Sequence, residues 1–261
     1  MYPWETPGWN EDGSVKSFGL DHWHLGTEAL ESLSDALSEN STIKKLSLSD
    51  CNIGVKGLTY LATALSKNNT ITEIDLSRNK IGSRGAALLA EALKDRSTTM
   101  KVNLSENKEW GSIGDQGAAS IAEALATNPS ITKIDLSMNN ISSGGAAFIA
   151  TALESNTVLM ELDLSLNNID VRGASSLVSG LENNSSIIKL HLDGNSVGNR
   201  HLDSIKRLLS RNQDMMFKKL ITKDELLVPL ALSSMKEGSK FDLTNIYTIL
   251  KERPDLLNNH Q

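Results

Sequence analysis

This sequence predicts an α/β solenoid: a curved horseshoe of about seven repeats, with parallel strands on the concave face and helices on the convex face. Three observations carry that prediction. The 261-residue chain returns to the same pattern every 28 residues. Within each turn of the pattern the apolar spacing changes from two to nearly four. An asparagine recurs at the point of change. A fixed short period marks a stack of units that touch only their neighbours.

The repeats begin at Val15, Ile43, Ile71, Thr99, Ile131, Leu159 and Ile187, and every step but one is 28 residues. The exception runs from Thr99 to Ile131, where four extra residues follow Asn107 in the stretch Lys108-Glu109-Trp110-Gly111-Ser112. In the third unit Ile74 and Leu76 alternate as in a strand, and Ala86, Leu89, Ala90 and Leu93 then follow helical spacing. Parallel strands stack about 4.8 Å apart and helices are roughly 10 Å wide, so the helical side takes the longer path and the stack curves.

Asn79, Asn107, Asn139, Asn167 and Asn195 stand where each strand turns away, and a buried amide there bonds backbone groups that the turn leaves unpaired. Cys51 takes this place in the second unit and Trp23 in the first. Gly54, Gly82, Gly114 and Gly198 mark the following turn. Ser83, Asp115 and Ser143 are expected to cap helix starts. Asn68, Asn128, Asn156, Asn184 and Asn212 are expected to end helices in left-handed conformation.

Segments such as IDLSRNKIGSRGAALLAEAL and IDLSMNNISSGGAAFIATAL resemble the ribonuclease-inhibitor type of leucine-rich repeat. The resemblance covers roughly residues 15 to 213 and is specific for fold. For function it is much less specific. The class includes nuclease inhibitors, activators of small GTPases, actin-filament capping proteins, sensor arrays of innate immune receptors, and effectors of intracellular bacteria. What it implies in common is a protein-binding surface, usually the concave one.

Hydrophobic residues make up 39% of the chain and aromatic residues only 4%, enough for an elongated core of leucine, isoleucine and alanine. No run approaches the roughly 20 apolar residues of a membrane span. The segment MYPWETPGWNEDG lacks the basic and apolar regions of a signal peptide. With a single cysteine there is no internal disulfide, so a reducing compartment is expected: the cytoplasm, or the host cytosol for a bacterial effector. Sequences such as Asn103-Leu-Ser arise from the repeat itself and carry no weight for glycosylation. The net charge is -6, which argues against nucleic acid and for a protein partner with a basic surface.

Side chains between the apolar strand positions point out of the sheet, and stacking sets equivalents side by side. One column reads Ser17, Lys45, Glu73, Lys101, Lys133, Glu161, Lys189. The next reads Gly19, Ser47, Asp75, Asn103, Asp135, Asp163, His191. Asp135 and Asp163 stand one strand apart, where like charges repel unless a cation or a partner's Lys or Arg intervenes. The alternative is ordinary repeat filler neutralised by Lys101 and Lys133. Met138 and Leu166 are apolar where other units place Arg78 and Glu106, forming either a partner-binding patch or a seat for adjoining loops. Trp110, in the lone insertion, is either an interface anchor or a cover for Met138. The candidate partner-binding set is therefore Lys45, Glu73, Asp75, Lys101, Asn103, Trp110, Lys133, Asp135, Met138, Glu161, Asp163, Leu166, Lys189 and His191.

His191 near Asp163 and Asp193 is the one grouping that resembles a metal or proton site, and a shallow surface offers it no pocket. Phosphate loop, zinc spacing and nucleophile elbow are absent from the sequence, so no catalytic residue, cofactor or metal is assigned. The expected organisation is an N-terminal arm over 1–14, repeats over 15–213, and a helical cap or accessory segment over 214–261. In that last segment Thr222 and Glu225 form a capping-box pattern that predicts a new helix start. The reading is a non-catalytic protein-interaction module, such as a short leucine-rich-repeat effector. The alternatives are a regulator of a small GTPase and an actin-binding or structural module.

Overall fold

The computed structural model describes residues 8–9, 15–107 and 111–223. Trp110 and the segment from residue 224 onward lie outside the described residues. Strand and helix alternate through β2 (Val15–Gly19), α1 (Thr27–Glu39), β3 (Lys45–Ser47), α2 (Gly54–Lys67), β4 (Glu73–Asp75), α3 (Gly82–Leu93), β5 (Met100–Asn103) and α4 (Gly114–Thr127). The alternation continues through β6 (Ile131–Asp135), α5 (Ser143–Ser155), β7 (Glu161–Asp163), α6 (Val171–Asn183), β8 (Lys189–His191) and α7 (Asn199–Lys223). A two-residue strand β1 (Gly8–Trp9) precedes them and pairs antiparallel with β2, so part of the expected irregular arm extends the sheet. From β2 to β8 the open sheet is parallel and follows chain order.

The inward-facing strand residues Leu46, Ile74, Val102, Ile134 and Leu162 are buried, whereas Phe18 and Leu190 at the ends of this column are only partly so. The core is thus continuous along the stack and opens toward its two ends, as the geometry of a solenoid requires. Gly54, Gly82, Gly114 and Gly198 have φ between +56° and +73°, a left-handed conformation that costs glycine least.

Two ladders of buried side chains tie the units together. In the first, the Asn167 amide donates to Leu136 O, Leu164 O and Ser165 O while its carbonyl accepts from Asn139 N and Ile141 N. Asn79 and Asn107 do the same three and two units earlier. Asn139, which follows the insertion, is fully buried, and its Oδ1 has no partner among the described residues. Cys51 stands in the ladder's place in the second unit, donating its thiol to Leu20 O at 2.9 Å. Burial pushes that thiol up to about 11. Trp23, the equivalent in the first unit, is 66% exposed and does not join the ladder.

The second ladder corrects an expectation. Asn68, Asn128, Asn156 and Asn184 do cap helix ends, but their backbones are extended, with φ between −66° and −90°. Each amide instead reaches a carbonyl at the end of the previous helix, and each Oδ1 accepts N–H groups leading into the next strand. The asparagine serves as a bridge between units rather than as a left-handed stop. Asn212 lies inside α7 and donates to Ile187 O. At the end of the third unit Arg96 takes the place, 3% exposed, with its guanidinium on Leu65 O, Asn68 O and Ile71 O.

The helix starts differ from expectation too. Residues Ile53, Ile81 and Ile113 precede α2, α3 and α4 with no side-chain cap, so Ser83 and Asp115 do not fill that role. Asp115 reaches the next unit, where it accepts from the backbone and hydroxyl of Ser142. Ser142 caps α5 and Asp170 caps α6, while Ser143 donates its hydroxyl to Asp170. At the other end α7 continues across residues 213 and 214, and Thr222 lies within it instead of starting a new helix.

Candidate interaction surface on the concave face

Strand pairing sets the concave columns in register. Lys45, Glu73, Lys101, Lys133, Glu161 and Lys189 are successive partners, as are Ser47, Asp75, Asn103, Asp135, Asp163 and His191. The extra residues of the fourth unit leave this register intact, and the pairing slips only at the strand start, where Met100 faces Ile131.

Each of Asp75, Asn103, Asp135 and Asp163 accepts on Oδ1 the backbone N–H of the serine two residues on, at 2.8 to 3.0 Å. That bond tightens the bend after each strand. It needs one oxygen and no charge, as Asn103 demonstrates. What distinguishes the column members is the link to the next unit. Asp75 Oδ2 accepts from the Asn103 amide at 2.9 Å, whereas neither Asp135 nor Asp163 receives a hydrogen bond or ion pair from a neighbouring unit among the described residues. Burial raises the Asp135 carboxyl above its ordinary value, the Ser137 hydroxyl and N–H oppose that shift, and the Asp163 charge adds to it.

Lys133 makes no ion pair with these aspartates, although its charge offsets part of the upward shift at Asp135. Its ammonium pairs with Glu161 at 2.8 Å, and His191 Nε2 approaches the same carboxylate at 3.8 Å. Lys45 pairs with Glu73 at 3.1 Å. Among the described residues no group of three metal-ligating side chains forms, so His191, Asp163 and Asp193 do not assemble as a metal site.

The row beyond the strands is left-handed throughout, with φ of 65° at His22, 55° at Asp50, 60° at Arg78, 56° at Glu106, 56° at Met138, 55° at Leu166 and 73° at Gly194. A hydrogen bond and an ion pair occupy its first part, His22 with Asp50 at 3.0 Å and Arg78 with Glu106 at 2.9 Å. The later part is apolar. Met138 is half-buried and Leu166 is 56% exposed, leaning over Gly194 so closely that an added Cβ there would meet Leu166 Cδ2 at 2.5 Å.

A family model described as "TMOD/LMOD Leucine-rich domain" matches residues 21–144, and one described as "Leucine Rich repeat" matches residues 155–178. The chain is a leucine-rich-repeat protein. Among solved structures this leucine-rich-repeat protein is similar to one titled "Leiomodin-1 Actin-Binding Site 2 (ABS2)", at 20% identity and a TM-score of 0.50, covering 75% of this chain and 94% of that one. It is also similar to a Caenorhabditis elegans tropomodulin C-terminal domain, at 13% identity and a TM-score of 0.49, covering 74% and 98%. No curated protein matches it.

Of the residues that the sequence singled out on this leucine-rich-repeat protein, the strand columns stand together on one face, with Met138 and Leu166 at its border. Sequence reasoning missed the cross-unit pairs that occupy the earlier units. The alternation of Lys45 with Glu73, and of Arg78 with Glu106 at a separation of 28, was the signal that could have found them.

Proposed function

We propose that this chain is a non-catalytic protein-interaction module that holds a protein partner on the concave face of units five to seven. The observation that carries this reading is the pair of carboxylates at Asp135 and Asp163, unlinked to neighbouring units and bordered by exposed Leu166. Such a surface favours a partner with a basic face. Charge reversal by Asp135→Lys with Asp163→Lys tests the reading in affinity capture with the full chain. Loss of the captured protein with unchanged helicity is expected, and undiminished capture would sink it.

A second reading makes actin the partner. It is favoured by the match over residues 21–144 and by the leiomodin-1 structure, whose title names an actin-binding site. Co-sedimentation of the full chain with filamentous actin decides it, since a chain left in the supernatant removes actin from consideration.

A further inference from the structure

The concave sheet face of units five to seven carries two residues that the fold alone does not ask for. Asp135 is the first. Its bend needs only an Oδ1 acceptor for Ser137 N, which Asn103 supplies for Ser105 N in the adjacent unit without charge. A carboxylate here adds repulsion with its register partner Asp163 and gains no link to the next unit. Leu166 is the second. A left-handed backbone suits glycine, asparagine and aspartate far better than an aliphatic residue, and a side chain 56% exposed recovers little of that cost by burial. Gly194 gives it room, since a Cβ there would push its Cδ2 aside.

We propose that units five to seven recognise a partner segment in which a basic side chain stands beside a large apolar one, the basic group entering between Asp135 and Asp163 and the apolar group packing on Leu166 above Gly194. The charge complementarity is specific to this part of the face. In the earlier units the equivalent outward groups are engaged with each other, Asp75 with Asn103, Arg78 with Glu106, and His22 with Asp50. Lys133 and His191 both lean on Glu161, which leaves Asp135 and Asp163, with Asp193 beyond them, as acidic groups of this face without a cross-unit partner among the described residues. An arginine suits the place best, because its planar fork can meet two carboxylates on neighbouring strands at once. The inference rests on the concave-face reading given above and narrows it to one partner chemistry.

The test uses isotope-labelled full chain titrated with a short glycine-serine peptide carrying an Arg next to a Leu, and with versions in which Glu replaces the Arg or Ser replaces the Leu. The Arg-Leu peptide is expected to shift the backbone amides of Ser137, Ser165 and Gly194, and each altered peptide to bind about tenfold more weakly, the equivalent of losing one well-placed contact. The variants Asp135→Asn and Leu166→Asn are each expected to weaken the Arg-Leu peptide while melting no lower than the parent. Equal binding of the three peptides, or shifts confined to units one to four, would overturn the proposal. A lowered melting temperature with unchanged peptide binding would overturn it as well, by making both residues structural. If the double charge reversal abolishes protein capture while the Arg-Leu peptide moves none of these amides, the interaction reading survives and the basic-apolar partner is wrong.

Discussion

Units one to four and units five to seven are built on the same repeat, yet their concave faces are finished differently. In the first group outward side chains bond across units: Asp21 with Ser47, Ser49 with Ser77, Asp75 with Asn103, Lys45 with Glu73, His22 with Asp50, and Arg78 with Glu106. In the second, Glu161 takes both Lys133 and His191, and the neighbouring aspartates and Leu166 face outward without such links. Below the surface the asparagine ladder runs through both groups from the third unit onward, and the buried strand column is common to both. A regular interior therefore fixes the scaffold, and the surface varies independently of it.

The interior half of that comparison can be broken most severely. Asn167→Ala removes an amide that serves five backbone groups, and about 3 kcal/mol of stability should go with it. Asn79→Ala should cost about the same, because the ladder does not distinguish the two groups of units. Asn139→Ala should cost less, about 1 to 2 kcal/mol, since its carbonyl has no partner to lose among the described residues. Urea denaturation of the three variants checks the order, and a costliest Asn139 would contradict the ladder as drawn.

A smaller effect is expected at the one ladder position held by a cation. Arg96→Ala leaves Leu65 O, Asn68 O and Ile71 O without their donor and should cost about 2 kcal/mol. Arg96→Asn should recover part of it, because asparagine fills the same place in the flanking units. If both variants melt alike, the guanidinium is not acting as a bridge.

The surface half should respond weakly. A double-mutant cycle on Arg78 and Glu106, both partly exposed, should return about 0.5 kcal/mol and fall with added salt. The aspartates separate by the sign of their pH dependence. Asp135 has a raised folded-state value, so the native state binds its proton more readily than the unfolded chain does. Its contribution therefore favours folding as pH drops through that raised value toward 3.8, and Asp135→Asn should flatten the slope there. Asp170 is lowered by the Ser143 hydroxyl and the Arg172 N–H, so its contribution is present above 3.8 and disappears as pH falls through the lower folded-state value. Melting curves from acid to neutral pH for Asp135→Asn and Asp170→Asn should show opposite changes.

How much of this was legible beforehand follows the same division. The strand columns, their register and the first asparagine ladder could be read from the period, because identical residues at identical spacing must stack. The second ladder was visible as asparagines but misread in conformation, since a helix stop and a bridge between units place the same residue at the same spot. Arg96 was missed because it stands where the flanking units place asparagine, and its nearest counterpart, Arg211 on Leu181 O, Glu182 O and Asn184 O, lies one position earlier in its repeat. Ser142 and Asp170 each lie one residue before the position where a cap was sought, at a turn that units two to four make with glycine. Engagement of the earlier concave units was hidden for a different reason: ion pairing depends on which rotamer each long side chain adopts, and spacing alone does not specify that.

The thiol of Cys51 has a practical consequence. It is the chain's single cysteine, wholly enclosed, and held on Leu20 O with its ionisation pushed up to about 11. An alkylating reagent at neutral pH therefore finds it only when the first two units part. Its labelling rate is a clock for fraying at one end of the stack, readable by mass on the unmodified protein. Added ligand would slow that clock only if it reached the terminal units or tightened the whole array.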